Sequence, residues 1–311
     1  MDPETLPVIS MSDREADLPG RLGHSFRQFG FAMVRDHGIE RSLIEEAWRL
    51  TREFFALPEQ EKRRYAIAGI AGARGYIPFG TEIAKGASVH DLKEFWHIGR
   101  DLPEGSPLRT TMPPNVWPDR PAGFREIFTR LYTEFDRVGS RLLSYIAIDL
   151  GLPSDWFGKA IEDGNSVLRL LHYPPVPDQS GGAIRAGAHE DINLITLLLG
   201  AEEAGLELLT RSGTWLPVAP PDGALVINIG DMLQRLTNHV LPSTTHRVRN
   251  PARERARISR YAMPFFLHLR SDFIFRTLPQ CISTGNPDRY PIEITADDYL
   301  QDRLREIGLK A

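Results

Sequence analysis

Three side chains in the C-terminal half of this chain have the right types to hold a metal ion. His189 and Asp191 form a His-x-Asp pair inside Ala188-His189-Glu190-Asp191-Ile192-Asn193-Leu194-Ile195-Thr196, at the head of an apolar, β-prone run. Along a strand, side chains alternate faces, so His189 and Asp191 share one side and Glu190 takes the other. A carboxylate there is costly to bury unless it is paired or metal-bound. A further histidine, His246, follows in Ser243-Thr244-Thr245-His246-Arg247-Val248. Two imidazoles and one carboxylate with open coordination positions suit non-haem Fe(II) chemistry. The same set can also hold zinc for hydrolysis, so the triad alone leaves two reaction classes open.

The other histidines carry less. The chain has nine. His97 and His268 show no local carboxylate partner, His239 follows Asn238 at a helix end, and His172 alternates off the face of Leu171 and Tyr173. A second cationic feature narrows the chemistry. If residues 256–267 form one strand, Ile258, Arg260 and Ala262 share a parity, while Arg253, Arg255 and Arg257 share the solvated one. An inward Arg260 needs a partner, and its planar fork suits a carboxylate. That partner is either a structural acid or the far carboxylate of a small dicarboxylate ligand.

The elements that must position these groups are legible as patterns. Leu6–Met11 and Phe31–Val34 read as strands. Residues 13–29 read as a helix broken at Pro19-Gly20. Ile39–Leu57 carries Leu43, Ala47, Leu50 and Phe54 at helical spacing, and Lys93–Ile98 alternates like a strand. Residues 66–80 form a Gly-rich, irregular segment whose Gly69–Gly75 stretch is expected to be a flexible loop near the active-site mouth. Within it Gly75-Tyr76-Ile77-Pro78-Phe79 faces either substrate or core. A long helix after Pro121 bears the stripe Ile127, Leu131, Phe135, Val138, Leu142 and Tyr145. From residue 166 the texture changes to short strands: Val167–Tyr173, Ala186–Asp191, Leu194–Leu199, Leu206–Thr210, Trp215–Val218, Ala224–Ile229, Thr244–Val248 and Ala256–Leu267. A short helix at Asp231–Asn238 interrupts them. Many strands separated by turn residues predict a β-barrel or jelly roll. A terminal helix from Thr295 presents Leu300, Leu304 and Ile307 on one face. The fold class is mixed α/β with a mainly-β core. Residues 1–118 form an N-terminal region and 119–311 the spine helix, catalytic core and terminal helix, in one integrated unit.

Bulk properties exclude several partners. The chain has 311 residues, 41% hydrophobic and 25% charged, with a net charge of −4. No strongly basic face is implied, so nucleic acid and anionic membrane are poor partners. The longest nearly apolar run, Leu194–Ala201, is far too short to span a bilayer. The first residues carry no cationic or apolar signal region. Cys281 is the sole cysteine, which fits a reducing, cytoplasmic setting. Oligomeric state is not legible. No Gly-x-Ser-x-Gly elbow is present, and the glycines at 69–75 have the wrong spacing for a dinucleotide fingerprint.

Taken together these segments resemble the isopenicillin N synthase-like family of Fe(II)/2-oxoglutarate-dependent oxygenases over nearly the whole chain. The resemblance is carried by Phe29-Gly30-Phe31-Ala32-Met33-Val34 with His37-Gly38, by Phe54-Phe55-Ala56-Leu57-Pro58, and by Lys93-Glu94-Phe95-Trp96. It is carried also by the two metal-type segments and by Arg260-Tyr261-Ala262-Met263-Pro264-Phe265-Phe266, which is similar to the family's Arg-x-Ser-x-Pro-Phe-Phe strand. The resemblance implies a distorted double-stranded β-helix, with His189, Asp191 and His246 as iron ligands. It implies Arg260 as the salt-bridge partner of the 2-oxoglutarate C5 carboxylate, and Tyr173 as a further contact to that cosubstrate. The implied activity couples oxidative decarboxylation of 2-oxoglutarate to oxidation, chiefly hydroxylation, of a small molecule by dioxygen. One departure stands out. The expected serine is Ala262, which removes a hydroxyl donor to the cosubstrate. Ser259 is on the wrong parity to replace it. Arg257-Ile258-Ser259 also spells Arg-x-Ser but is out of register with Pro264-Phe265-Phe266, so Arg257 is the lesser candidate. Some relatives oxidise without 2-oxoglutarate, so an iron oxidase of the same fold is the alternative. A zinc hydrolase would need a general base, and Glu190 is expected to face away. A catalytically silent binding module is the remaining rival.

Overall fold

The structure, a computed structural model, describes residues 5–70, 72–81, 91–175, 184–200 and 205–306. The N-terminal part runs β1 (Val8–Ser10), α1 (Leu18–Phe29), β2 (Phe31–Arg35), α2 (Arg41–Phe55), α3 (Glu59–Arg63), β3 (Gly75–Ile77) and β4 (Glu94–Gly99). The long helix α4 (Phe124–Asp149) and the short α5 (Gly158–Ile161) follow. The β-rich part comprises β5 (Val167–Tyr173), β6 (Ala186–His189), β7 (Ile195–Leu199), β8 (Leu206–Leu209), β9 (Trp215–Pro217), β10 (Leu225–Ile229), α6 (Asp231–Leu236), β11 (His246–Val248) and β12 (Arg260–Leu267). A small hairpin of β13 (Ile274–Phe275) and β14 (Ile294–Thr295) leads into α7 (Ala296–Glu306).

Eight strands form one sheet in the order β1-β2-β10-β7-β12-β5-β4-β3, and four form a second in the order β6-β11-β8-β9. Only the β1–β2 pair of the large sheet is parallel; its other ladders are antiparallel. The alternation of side chains decides what each face does. Phe31, Met33, Leu171, Tyr173, Val226 and Ala262 point from the large sheet toward Leu206, Leu208 and Val248 of the small one. Leu168, Leu170, Leu197, Ile227 and Phe265 point the other way and pack on the helices. The result is a distorted double-stranded β-helix, a jelly roll with one face of its larger sheet covered by helices.

The stripe on α4 packs as its spacing predicts: Leu131, Phe135, Val138 and Leu142 are each fully buried. Phe135 stacks on Phe265 at 5.5 Å between ring centroids. Gly139 permits this approach, since a Cβ there would stand 2.4 Å from Leu267 Cδ1.

Three expectations need correction. Pro19 does not break a helix; it lies in the first turn of α1, where its missing N–H costs nothing. Residues 253–255 form a 3-10 turn and β12 begins only at Arg260, so strand parity does not govern Arg253, Arg255 or Arg257. The strand carrying His189 ends at that residue, so Asp191 reaches the site from the following turn rather than from strand alternation. The irregular 66–80 segment holds β3, with Ile77 buried inside the barrel and Phe79 exposed; Ala71 lies outside the described residues. In α7, Leu300 packs against the outer core, while Ile307 lies outside the described residues. Among the described residues, no helix is long and apolar enough to cross a membrane.

Candidate functional site

β6 and β11 are hydrogen-bonded neighbours, and their register places His189 directly opposite His246. The two rings face each other at 4.4 Å between centroids. Asp191 enters from the turn after β6, with Oδ1 3.8 Å from His189 Nε2 and Oδ2 3.9 Å from His246 Nε2. One ligand atom from each residue lies within 4.8 Å of the others. That proximity lets one ion reach a ligand atom of all three residues after modest side-chain adjustment. His246 and Asp191 are buried, whereas His189 keeps 38% of its side-chain surface accessible, so the cluster is reachable from the His189 side.

The surroundings prepare these groups for a cation. His189 Nδ1 lies 2.7 Å from the Gly187 carbonyl and His246 Nδ1 lies 3.1 Å from that of Thr244. A carbonyl can only accept, so both rings carry their proton on Nδ1 and turn the Nε2 lone pair toward the cluster. Asp191 Oδ2 accepts from Thr196 Oγ1 at 2.5 Å and from Asn228 Nδ2 at 2.8 Å. Asn193 Nδ2 in turn donates to Thr196 Oγ1 at 2.9 Å, which aims that hydroxyl at the carboxylate. Burial disfavours the Asp191 anion, but His246, His189 and these two donors outweigh it and hold its pKa below the usual range. Burial, then proximity to His246, pushes His189 down to about 4, so it stays neutral near pH 7. Ionised carboxylates and neutral imidazoles are the forms in which such side chains bind a divalent metal.

Backbone geometry holds the Asp191 turn. The Asp231 N–H donates to the Asp191 carbonyl at 2.7 Å, and Gly230 N–H to Leu194 O at 2.9 Å. A Cβ on Gly230 would lie 2.2 Å from Asn193 O, so only glycine fits. Arg303 of α7 binds Asp231 at 2.8 Å, so the terminal helix is tied to the same corner. A second tie runs from the segment just before β4: Asp91 Oδ1 accepts from Gly187 N–H at 3.1 Å and Asp91 Oδ2 pairs with Lys93 at 2.9 Å, both side chains being buried. Asp91 therefore anchors the residue whose carbonyl orients His189.

The inward arginine expected from the sequence lies on the large sheet. Arg260 is buried at the start of β12 and pairs in the ladder with Tyr173 of β5. Its guanidinium carbon sits 5.1 Å from the Tyr173 ring centroid. Arg257 is exposed in the turn before β12, which removes it as the inward cation. Ala262 faces the barrel interior and offers no hydroxyl. Ser259 Oγ bonds His172 Nε2 at 3.1 Å, on the opposite face, in a buried network with Glu94 and Lys62. Glu190 accepts from Thr245 Oγ1 at 2.9 Å, so its carboxylate is engaged with the residue before His246.

Sequence reasoning missed several members of this site. Thr196, Asn228 and Asp91 act through contacts between segments distant in the chain, which no local pattern reports. His97, for which no local carboxylate partner was expected, bonds Gly72 O through Nδ1 at 2.6 Å and accepts from Arg169 Nε through Nε2 at 2.6 Å.

Comparison with known proteins agrees with this geometry. Residues 6–120 match the family described as non-haem dioxygenase in morphine synthesis N-terminal, and residues 164–269 match the 2OG-Fe(II) oxygenase superfamily. A solved 2OG-Fe(II) oxygenase family protein from Caulobacter crescentus is 53% identical, with a TM-score of 0.91 over 98% of this chain and 100% of that one. A full-length Neurospora crassa protein solved in complex with alpha-KG is 26% identical, with a TM-score of 0.85 over 96% of this chain and 95% of that one. The proline hydroxylase buaE of Petromyces alliaceus is 35% identical over 95% of this chain and 97% of its own length. The chain belongs to the Fe(II)/2-oxoglutarate-dependent oxygenases: it is an oxidoreductase that uses Fe(II) and 2-oxoglutarate to couple dioxygen to hydroxylation of a small molecule.

Proposed function

We propose that His189, Asp191 and His246 are the iron ligands of this oxygenase and that Arg260 and Tyr173 hold the cosubstrate. The observation that carries this reading is the pair of Nδ1–carbonyl contacts, which turn both Nε2 lone pairs toward one ionised, hydrogen-bonded carboxylate. Iron bound there supplies the oxidising chemistry; the chain binds, orients and shields. Arg260 offers the buried cation a distal carboxylate needs, and Tyr173 packs beside it. Because Ala262 contributes no donor, Arg260 carries more of the cosubstrate's affinity than it would beside a serine. The open side of His189 is where substrate approaches the metal.

The regions 1–118 and 119–311 act as one unit in this reading. The outer core, which joins Leu22, Leu50 and Trp96 to Phe135 and Leu197, supports it. The protein is a cytoplasmic enzyme with no nucleic-acid or membrane partner; its mild net charge and single, buried cysteine are consistent with that setting. The test is succinate release by purified protein. It should require Fe(II), 2-oxoglutarate and dioxygen together, and His246→Ala should abolish it. Full succinate release by metal-loaded His246→Ala would refute the ligand assignment.

A further inference from the structure

The helix-covered face of the large sheet carries a buried polar network that the iron and cosubstrate assignments leave unused. Its centre is His172 of β5, which points away from the barrel interior and lies against Phe55 of α2, 5.3 Å between ring centroids. In the ladder His172 stands between Glu94 of β4 and Tyr261 of β12. Glu94 Oε1 lies 2.7 Å from His172 Nδ1. An ionised carboxylate only accepts, so Nδ1 carries the proton, and in the neutral ring Nε2 is left to accept from the Ser259 hydroxyl at 3.1 Å. Lys62 of α3 donates to both oxygens of Glu94, at 2.9 and 2.7 Å, and the Tyr76 hydroxyl of β3 donates to the same carboxylate. Lys62, Tyr76, Glu94 and His172 are all buried. Burial disfavours the Glu94 anion, but His172, Lys62 and Tyr76 outweigh it and hold its pKa below the usual range.

Register places this network directly behind the proposed cosubstrate residues. Arg260 is the first residue of β12, and the residues before it lie outside the strand. The direction of the chain at Arg260 is therefore set by what holds its two neighbours. His172 holds both. It bonds Ser259, and its ring stacks on that of Tyr261, 4.7 Å between centroids and 12° between planes. His172 also directly precedes Tyr173, which pairs with Arg260 in the ladder. Side chains alternate along a strand, so the grip lies on one face of the sheet while Arg260 and Tyr173 emerge on the other. What is held is the backbone at these two residues, whatever further contacts the guanidinium makes. A buried polar network with its members satisfied is rigid, and this one joins α3, β3, β4, β5 and the start of β12 at a single point.

We propose that His172 is a positioning residue for 2-oxoglutarate: by gripping Ser259 and Tyr261 from outside the barrel, it sets the direction in which Arg260 and Tyr173 meet the cosubstrate. The inference rests on the assignment of those two residues to the cosubstrate and adds the group that aims them. Glu94, fixed by Lys62 and Tyr76, holds the His172 ring in turn. The metal ligands are secured by separate bonds, Asp191 through Thr196 and Asn228, His189 through Gly187 and His246 through Thr244. Loss of His172 should therefore weaken the cosubstrate's affinity and spare both metal binding and turnover at saturating 2-oxoglutarate.

The experiment measures 2-oxoglutarate affinity from the visible spectrum of the anaerobic Fe(II) protein, KM and kcat from succinate release in air, and Mn(II) affinity by calorimetry. His172→Phe keeps a ring against Tyr261 and loses both hydrogen bonds. It should weaken 2-oxoglutarate binding and raise its KM by about tenfold, with kcat and Mn(II) affinity within about twofold of wild type. Ser259→Ala should shift the same two quantities a few-fold, and Ser259→Thr, which keeps the hydroxyl, should stay near wild type. Ser259→Ala added to His172→Phe should have no further effect, because the bond it removes is already gone. Thermal melting checks folding, and if His172→Phe does not fold, the contrast between Ser259→Ala and Ser259→Thr decides. The inference is overturned if Ser259→Ala and a folded His172→Phe leave the KM for 2-oxoglutarate unchanged, or if Mn(II) affinity falls in proportion, which marks a general loosening. Failure of the underlying reading looks different: Arg260→Met and Tyr173→Phe would then both keep the wild-type affinity for 2-oxoglutarate.

Discussion

Thr196→Val removes one hydroxyl from the shell around the metal site while keeping the side chain's shape. Thr196 is buried and touches the cluster only through its bond to Asp191 Oδ2 at 2.5 Å. A hydrogen bond to a charged acceptor contributes about 1.5–3 kcal/mol, and partners behind metal ligands typically control affinity by about 10- to 100-fold. The two figures agree, since ~1.4 kcal/mol is about tenfold. Asn228 still donates to the same oxygen, and Asn193 still has the Ile195 carbonyl for its amide, so the fold should survive. The expected result is metal affinity about 10- to 100-fold weaker, measured by calorimetric titration of Fe(II) or Mn(II) under nitrogen, with the metal-free protein still folded and its Tm lowered by a few degrees. Thr196 also helps depress the Asp191 pKa. Losing it raises that pKa, so the acid limb at which metal binding fails should move to higher pH. Unchanged affinity and an unchanged acid limb in a folded variant would refute the claim that this hydroxyl prepares Asp191 as a ligand.

Ala262→Ser should restore a donor facing the cosubstrate and lower the KM for 2-oxoglutarate a few-fold, in line with about 0.5–1.5 kcal/mol for one hydrogen bond; Arg260→Met should raise it by at least about tenfold. Steady-state succinate release at varied 2-oxoglutarate measures both. Gly230→Ala forces a Cβ against Asn193 O, only 2.2 Å away. It should cost about 1–3 kcal/mol, lower Tm by several degrees and weaken metal binding, because the adjacent Asp231 N–H holds the Asp191 turn. Burial pushes the His268 pKa down to about 4, while an unfolded histidine titrates near ~6.5. Between those values the unfolded chain binds the extra proton, so stability falls as pH drops from about 6.5 toward 4, by about 3 kcal/mol at pH 4, and is unaffected above that window. Thermal melting against pH should show this loss, and His268→Leu should reduce it, leaving the share that His189 contributes in the same window.

How much of this was readable in advance depended on whether the signal was local. His189 and Asp191 are two positions apart at the head of an apolar run, and their pairing was legible although Asp191 reaches the cluster from a turn. The α4 stripe was legible because 3.6-residue periodicity writes itself into consecutive residues. Arg260 was legible as an inward cation through its shared parity with Ala262, but not through Ile258 or the residues before it, which lie outside the strand. Its neighbour Tyr173 required the family resemblance, since ladder register joins strands far apart in the chain. The same limit hid Arg169 and His97. Each looks unremarkable in its own segment, and only the pairing of β4 with β5 reveals the bond between them. Thr196 and Asn228 read as ordinary strand residues until β7 and β10 are placed side by side.

The most direct measurement of the central claim is the anaerobic visible spectrum of the protein titrated with Fe(II) and then 2-oxoglutarate. Wild-type protein should develop a weak charge-transfer band only when both are present, and metal-loaded His189→Ala and His246→Ala should fail to develop it. A band of full strength in either variant, or none in iron-loaded wild type at saturating 2-oxoglutarate, would contradict the assignment of these imidazoles to the iron.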